Sequence, residues 1–143
     1  MTAAYTPPAS SSPLADTALL VGRILLVVIF VFSGFGKFVD LGSTAGYIAS
    51  KNLPMPSVLA IAAAATELVG GLLIAIGWYT RIVALGLVVF TLIAAYFFHA
   101  FWLLPPDAQM NDMIHFMKNL SIIGGFLMLA GTGPGRYSVD GRV

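Results

Sequence analysis

Four apolar runs decide what this chain can fold into. Ala18–Phe35, Val58–Trp78, Ile82–Trp102 and Met113–Gly131 are each 18 to 21 residues long and carry almost no charge. About 20 residues rising 1.5 Å each cross a hydrocarbon core of roughly 30 Å, so every run is long enough to span a bilayer as a helix. Together they take up more than half of the 143 residues and leave no room for a separate soluble domain. The expected fold is an all-α membrane protein, a four-transmembrane-helix bundle over residues 18–135. A flexible Pro- and Ser-rich tail over residues 1–17 precedes it and a polar tail over residues 136–143 follows it. The lipid bilayer is the first partner this implies.

Composition narrows the function classes. Charged residues make up 9% of the chain, against about 25% in ordinary globular domains. The mean hydropathy is +0.94. A net charge of +1, from 7 basic and 6 acidic residues, gives no electrostatic footprint for nucleic acid. With no cysteine, disulfides, thiol relays and iron–sulfur ligation are excluded. No positive stretch precedes the first run, so that run is expected to act as an uncleaved anchor.

The connections set the topology. Asp16 or Thr17 is expected to cap the first helix, which is expected to loosen at Ser33-Gly34-Phe35-Gly36 and leave Lys37 at the interface. Ser43–Lys51 reads as a short amphipathic helix on the membrane, stopped by Pro54 and Pro56. Only Tyr79-Thr80-Arg81 joins the second and third runs, which are therefore antiparallel neighbours with Arg81 interfacial. Pro105-Pro106 ends the third, and Asn111 or Asp112 is expected to cap the fourth. The Gly70–Gly77 segment aligns without gaps on Gly124–Gly131, so two duplicated helical hairpins are one explanation and chance likeness of Gly-rich membrane helices is the other. Arg23, Arg81, Arg136 and Arg142 lie on the terminus side, which by the positive-inside rule places both termini in the cytoplasm.

Three charges stand inside the runs: Arg23, Glu67 and Lys118. An ionised side chain there costs at least roughly 2.5–3.5 kcal/mol, so each needs a partner, a wet cavity or a task. Helical rise puts Glu67 roughly 14 Å deep, within about 5–10 Å in depth of both cations. The expectation is a buried polar cluster of Arg23, Glu67, Lys118, Asn119 and Ser121, with Glu67 paired to Lys118 or Arg23. Such a cluster is either a structural ion pair that fixes register or a pocket that binds a head group or relays protons. Gly70 and Gly71, and Gly124 and Gly125, give the second and fourth helices small faces for close packing.

His99 and His115 fall at the same membrane face across the proline loop, among Tyr96, Phe97, Phe98, Phe101, Trp102 and Phe116. Opposed imidazoles can ligate haem or a metal, but no third ligand stands near them, and water or Asp112 can satisfy them instead. The aromatic residues read as an interface belt or as the wall of a quinone pocket. No metal site is expected. No phosphate loop, nucleophile–base pair or intramembrane carboxylate pair is present, and Gly34–Lys37 has the wrong spacing for a phosphate loop.

Taken together, several short segments carry a resemblance. They are Gly22-Arg23, Ser33-Gly34-Phe35-Gly36-Lys37-Phe38, Glu67-Leu68-Val69-Gly70-Gly71 with Gly77 and Arg81, Lys118-Asn119-Leu120 with Gly124-Gly125, and Gly135-Arg136-Tyr137-Ser138-Val139-Asp140. The chain resembles the DoxX family of small four-helix membrane proteins over about Leu19–Asp140. The resemblance implies an integral protein of the bacterial inner membrane, with Arg23, Lys37, Glu67, Lys118 and Asn119 at the family's recurrent polar positions. The family takes its name from a subunit of a thiosulfate:quinone oxidoreductase, and distant relatives act as cargo receptors or chaperones. The expected function is a redox-associated, quinone-linked accessory subunit working beside other oxidoreductase subunits. The cofactor is left unassigned, with quinone the first alternative and haem the second. The alternative is a non-catalytic scaffold or assembly protein; a small-solute transporter would need a homo-oligomer to enclose enough space.

Overall fold

The computed structural model describes residues 12–142. Residues 1–11, most of the expected N-terminal tail, lie outside the described residues. The helices are α1 (Pro13–Val39), α2 (Leu41–Ser50), α3 (Pro56–Ile76), α4 (Thr80–Phe98) and α5 (Gln109–Thr132), with 3₁₀ turns at Phe101–Leu103 and Asp140–Arg142. Four of them, α1, α3, α4 and α5, are long and apolar enough to cross a membrane.

Helix α1 begins earlier and ends later than its apolar run. Its cap is Ser12, whose Oγ accepts from the Ala15 amide at 3.2 Å, and Pro13 opens the first turn. At the other end the helix continues unbroken through Ser33–Gly36 to Val39, so Lys37 lies within it and not beyond it. Asp40 ends α1 and caps α2, accepting from the Ser43 amide at 2.9 Å and the Ser43 hydroxyl at 2.6 Å. Helix α2 does form, but it packs against the N-terminal half of α3 and its Ile48 is buried. Helix α5 starts at Gln109, ahead of both expected caps, and no side chain caps it.

Buried residues recur at alternating steps of three and four. On α1 these are Arg23, Val27, Phe30 and Gly34, and on α3 they are Ala60, Ala64, Glu67, Gly71 and Ile74. That period gives the shallow crossings of left-handed bundles. Helix α1 packs chiefly on α3, and α4 on α5, which makes two hairpins. The α1–α3 crossing is tight at Gly34, where a Cβ would lie 2.5 Å from the Leu68 amide nitrogen. Between the hairpins Phe30 meets Phe126 edge to face at 5.3 Å, in a core with Val27, Ile74, Leu87 and Leu129. The outward faces are apolar, as a lipid-facing surface requires.

The C-terminal stretch folds back over the terminus end of the bundle. Arg23 explains why. Its Nε donates to Ala75 O at 3.1 Å, its Nη1 to Pro134 O at 2.5 Å and its Nη2 to Tyr137 O. Asp140 then accepts from the Tyr79 and Thr80 amides, both at 2.8 Å, at the start of α4. Arg81 donates to Ala130 O and Gly131 O at the end of α5, both at 2.7 Å.

Candidate functional site

Glu67 is buried, and its partner is Lys37. Lys37 Nζ lies 2.7 Å from Glu67 Oε2 and 2.5 Å from Ser33 Oγ. The expected pairing with Lys118 or Arg23 does not form. Lys37 sits three residues after Gly34 and four after Ser33, so all three share the α1 face that meets α3. With no Cβ on Gly34, α3 comes close enough for a lysine one turn away to reach Glu67. Arg23 is spent on carbonyls at the other end of the bundle.

The pair borders a cavity of about 610 Å³ between α3 and α4, walled on one side by α2. Ser33, Lys37, Thr66 and Glu67 supply its polar lining at the deep end. Leu59, Phe90, Ile93 and Phe97 make most of the rest apolar. At the loop-side end stand Tyr47, Pro54, Phe98 and His99, with Tyr47 and Phe98 ring centroids 5.3 Å apart across α2 and α4. Thus α2, read from the sequence as a surface helix, is a wall of the site. Lys51 rests 5.6 Å over the Tyr47 ring.

The other candidate residues scatter. His99 lines the cavity, and its Nδ1 lies 3.4 Å from Asp112 Oδ1. His115 stacks on His99 with centroids 4.9 Å apart and planes at 16°. An ion held end-on between two imidazoles, with bonds of about 2 Å, needs the rings facing nitrogen to nitrogen and further apart. The arrangement therefore does not fit haem. Among the described residues no three His, Cys, Asp or Glu side chains are grouped to hold a metal. Trp102 and Phe116 pack on each other at 5.5 Å, outside the cavity; its aromatic wall comes from Tyr47, Phe90, Phe97 and Phe98. Lys118 and Ser121 are exposed on α5, and Asn119 is half-buried. The cluster of Arg23, Glu67, Lys118, Asn119 and Ser121 is thus divided among three places, because α5 turns that face away from α3.

A model of the DoxX family matches residues 18–100, which takes in all but the first turn of α1, all of α2 to α4 and every residue lining the cavity. The chain belongs to the DoxX family. Relatives of this DoxX protein match over a longer stretch, one that must reach into α5. Inner membrane protein YphA of Escherichia coli K12 is 43% identical over 124 residues, 87% of this chain and 89% of that protein. Inner membrane protein YqjF of the same organism is 40% identical over 130 residues, 89% of this chain and 92% of that protein. A Surfeit locus protein 4 homolog of Schizosaccharomyces pombe is 30% identical over 123 residues, 85% of this chain but 36% of that longer protein. No solved structure matches. The DoxX chain is accordingly a multi-pass inner-membrane protein.

Proposed function

We propose that this DoxX protein is a quinone-linked accessory subunit of a membrane oxidoreductase, holding the quinone ring in the cavity beside Lys37 and Glu67. The observation that carries the reading is one ammonium–carboxylate pair at the deep end of an otherwise apolar cavity of about 610 Å³. That volume falls within the range of small-molecule sites, and a few polar groups in apolar walls are their usual lining. The donor set fits a quinone. Lys37 gives two of its three N–H bonds to Ser33 and Glu67, which leaves one for a carbonyl oxygen. Glu67 is engaged through Oε2, so Oε1 remains to accept from a hydroxyl. A bound quinone supplies two-electron, two-proton chemistry. Lys37 and Glu67 hold and orient the ring and can take up or give a proton at Glu67. His99, beside Asp112, holds a second titratable group at the loop-side end. The chain has no cysteine, so electron exchange falls to the quinone and a partner subunit.

The test is titration of the protein in lipid nanodiscs with a short-chain ubiquinone, read by quenching of intrinsic fluorescence. Saturable binding that weakens at least tenfold in Glu67→Gln and in Lys37→Met supports the reading. Binding that does not saturate, or that both variants retain in full, overturns it.

One observation favours the scaffold alternative: the same ion pair ties α1 to α3 at their closest approach. In that case Glu67→Gln lowers abundance in the membrane while the wild type binds no quinone.

A further inference from the structure

We propose that the cavity opens sideways into the bilayer between α3 and α4, and that its quinone enters there and keeps an isoprenoid tail in the opening. This rests on the quinone reading above and adds to it the class of quinone, its route and the residues that set the route.

The two helices are close at Gly70, where a Cβ would lie 3.1 Å from Leu87 Cδ2, and the cavity lies between them on the loop side of that contact. On α3 its lining passes from buried Glu67 through half-buried Ala63 to exposed Ala62 and Thr66. On α4 it passes from half-buried Ala94 to exposed Ile93 and Phe97. Ala62 and Thr66 are four residues apart, as are Ile93 and Phe97, so each pair stacks along one edge of its helix. Helical rise puts all four between roughly 6 and 15 Å beyond the Gly70–Leu87 contact, in one band of depth. Both edges lie inside spans, where an exposed side chain meets hydrocarbon. The mouth is therefore lateral. The loop-side end is crossed instead by the Tyr47–Phe98 ring pair, with centroids 5.3 Å apart.

Polarity selects the occupant. The Lys37–Glu67 pair lies at the deep end, and of the four residues at the mouth only Thr66 is polar. A phospholipid has the opposite order, a charged head at the interface and an apolar tail in depth, and would set that tail against the ion pair. A quinone offers carbonyls to the pair and an apolar tail to the mouth. About 610 Å³ holds a ring and the start of a tail, but no long tail, so the remainder must leave through an opening. Ala62, the smallest side chain of the four, keeps the passage free. The tail lies in hydrocarbon before and after binding, so it adds little affinity. What the mouth decides is whether a tailed ring can seat at all.

The experiment displaces a radiolabelled tailless ubiquinone from the full chain in lipid nanodiscs. The competitors are a tailless ubiquinone and one with a long isoprenoid tail, both counted as mole fractions in the lipid. In the wild type the two should compete about equally. Ala62→Phe should weaken the tailed competitor roughly tenfold relative to the tailless one, the scale of a steric clash. Ile61→Phe, one residue along and exposed but outside the lining, should leave that ratio unchanged. In the wild type, a quinone with a diazirine on its tail should attach at Ala62, Thr66, Ile93 or Phe97. A wild type that takes the tailless quinone but excludes the tailed one overturns the lateral mouth and leaves the ring site standing. So does an unchanged ratio in Ala62→Phe, an equal fall in Ile61→Phe, or attachment of the tail at Leu53 and Pro54. If the wild type binds neither quinone saturably and only phospholipid is recovered with it, both readings fall.

Discussion

Gly34→Ala tests the contact on which the site is built. A Cβ there would lie 2.5 Å from Leu68 N, 2.9 Å from Ala64 O and 3.0 Å from Glu67 Cβ, and the first two are backbone atoms of α3. Ordinary contacts need about 3.5 Å or more, so α1 and α3 must part by roughly 0.5–1 Å. Overpacking of this kind costs about 1–3 kcal/mol. Alanine also improves helix propensity by up to about 1 kcal/mol, which would mask part of the loss. Gly36→Ala removes that ambiguity: it lies two residues away in the same helix, and its Cβ meets nothing within 4 Å. The difference between the two variants isolates the clash. We expect Gly34→Ala to be about 1–3 kcal/mol less stable than Gly36→Ala in reversible unfolding from mixed micelles, followed by circular dichroism. Separation also stretches the 2.7 Å Lys37–Glu67 contact, so Gly34→Ala should lose quinone binding as well. Equal stabilities, within about 0.5 kcal/mol, would refute the claim that Gly34 sets the α1–α3 distance.

Removing one member of the buried pair leaves the other uncompensated, at roughly 3–5 kcal/mol by analogy with water-soluble proteins. Lys37→Met with Glu67→Gln should therefore be more stable than either single variant in the same unfolding assay; additive losses would show that the two charges do not interact. Asp140 gives a pH dependence outside the spans. Burial pushes its carboxyl upward, but hydrogen bonds from the Thr80 and Tyr79 amides and the charge of Arg23 outweigh it and hold it below the ordinary value. A depressed folded pKa contributes stability that is present above the unfolded value, about 3.9, and is lost as pH falls through the folded one. The melting temperature should accordingly be level from pH 7 to about 5 and fall below about 4, with a shallower acid fall in Asp140→Asn. Some acid sensitivity remains in that variant, because hydrogen bonds from Ser43 hold Asp40 low in the same way. An unchanged acid limb in Asp140→Asn would remove Asp140 from the account.

The four spans were legible because length and apolarity are local properties of each run. The pairing was not, for a reason traceable to two residues. Gly34 and Gly36 suggested a helix end, which placed Lys37 outside α1, but helix α1 runs on because α3 and α2 pack against that turn. A sharper signal was present: Arg23, Val27, Phe30, Gly34 and Lys37 follow steps of four, three, four and three, which puts Lys37 on the buried stripe. Depth alone cannot choose among Arg23, Lys37 and Lys118, since the choice depends on which faces meet. Arg23 had to have a partner, yet two of the three carbonyls it takes, those of Pro134 and Tyr137, lie in a chain segment with no periodicity to read. The aromatic wall was legible in part. Phe97 and Phe98 stand where the sequence put them, but Tyr47 and Phe90 were missed, and Tyr96, Phe101, Trp102 and Phe116 lie outside it. The reason is that the cavity is walled by α2, which brings Tyr47 over α4.

The most direct measurement on the central claim is photolabelling with an azido-quinone in membranes, with the attachment sites mapped by peptide sequencing. The account predicts labels in peptides that hold Tyr47, Ala62–Glu67 and Phe97–His99, displaced by excess unlabelled quinone and absent from Glu67→Gln. Labels spread over the lipid-facing residues, undiminished by competitor or by the substitution, would contradict it.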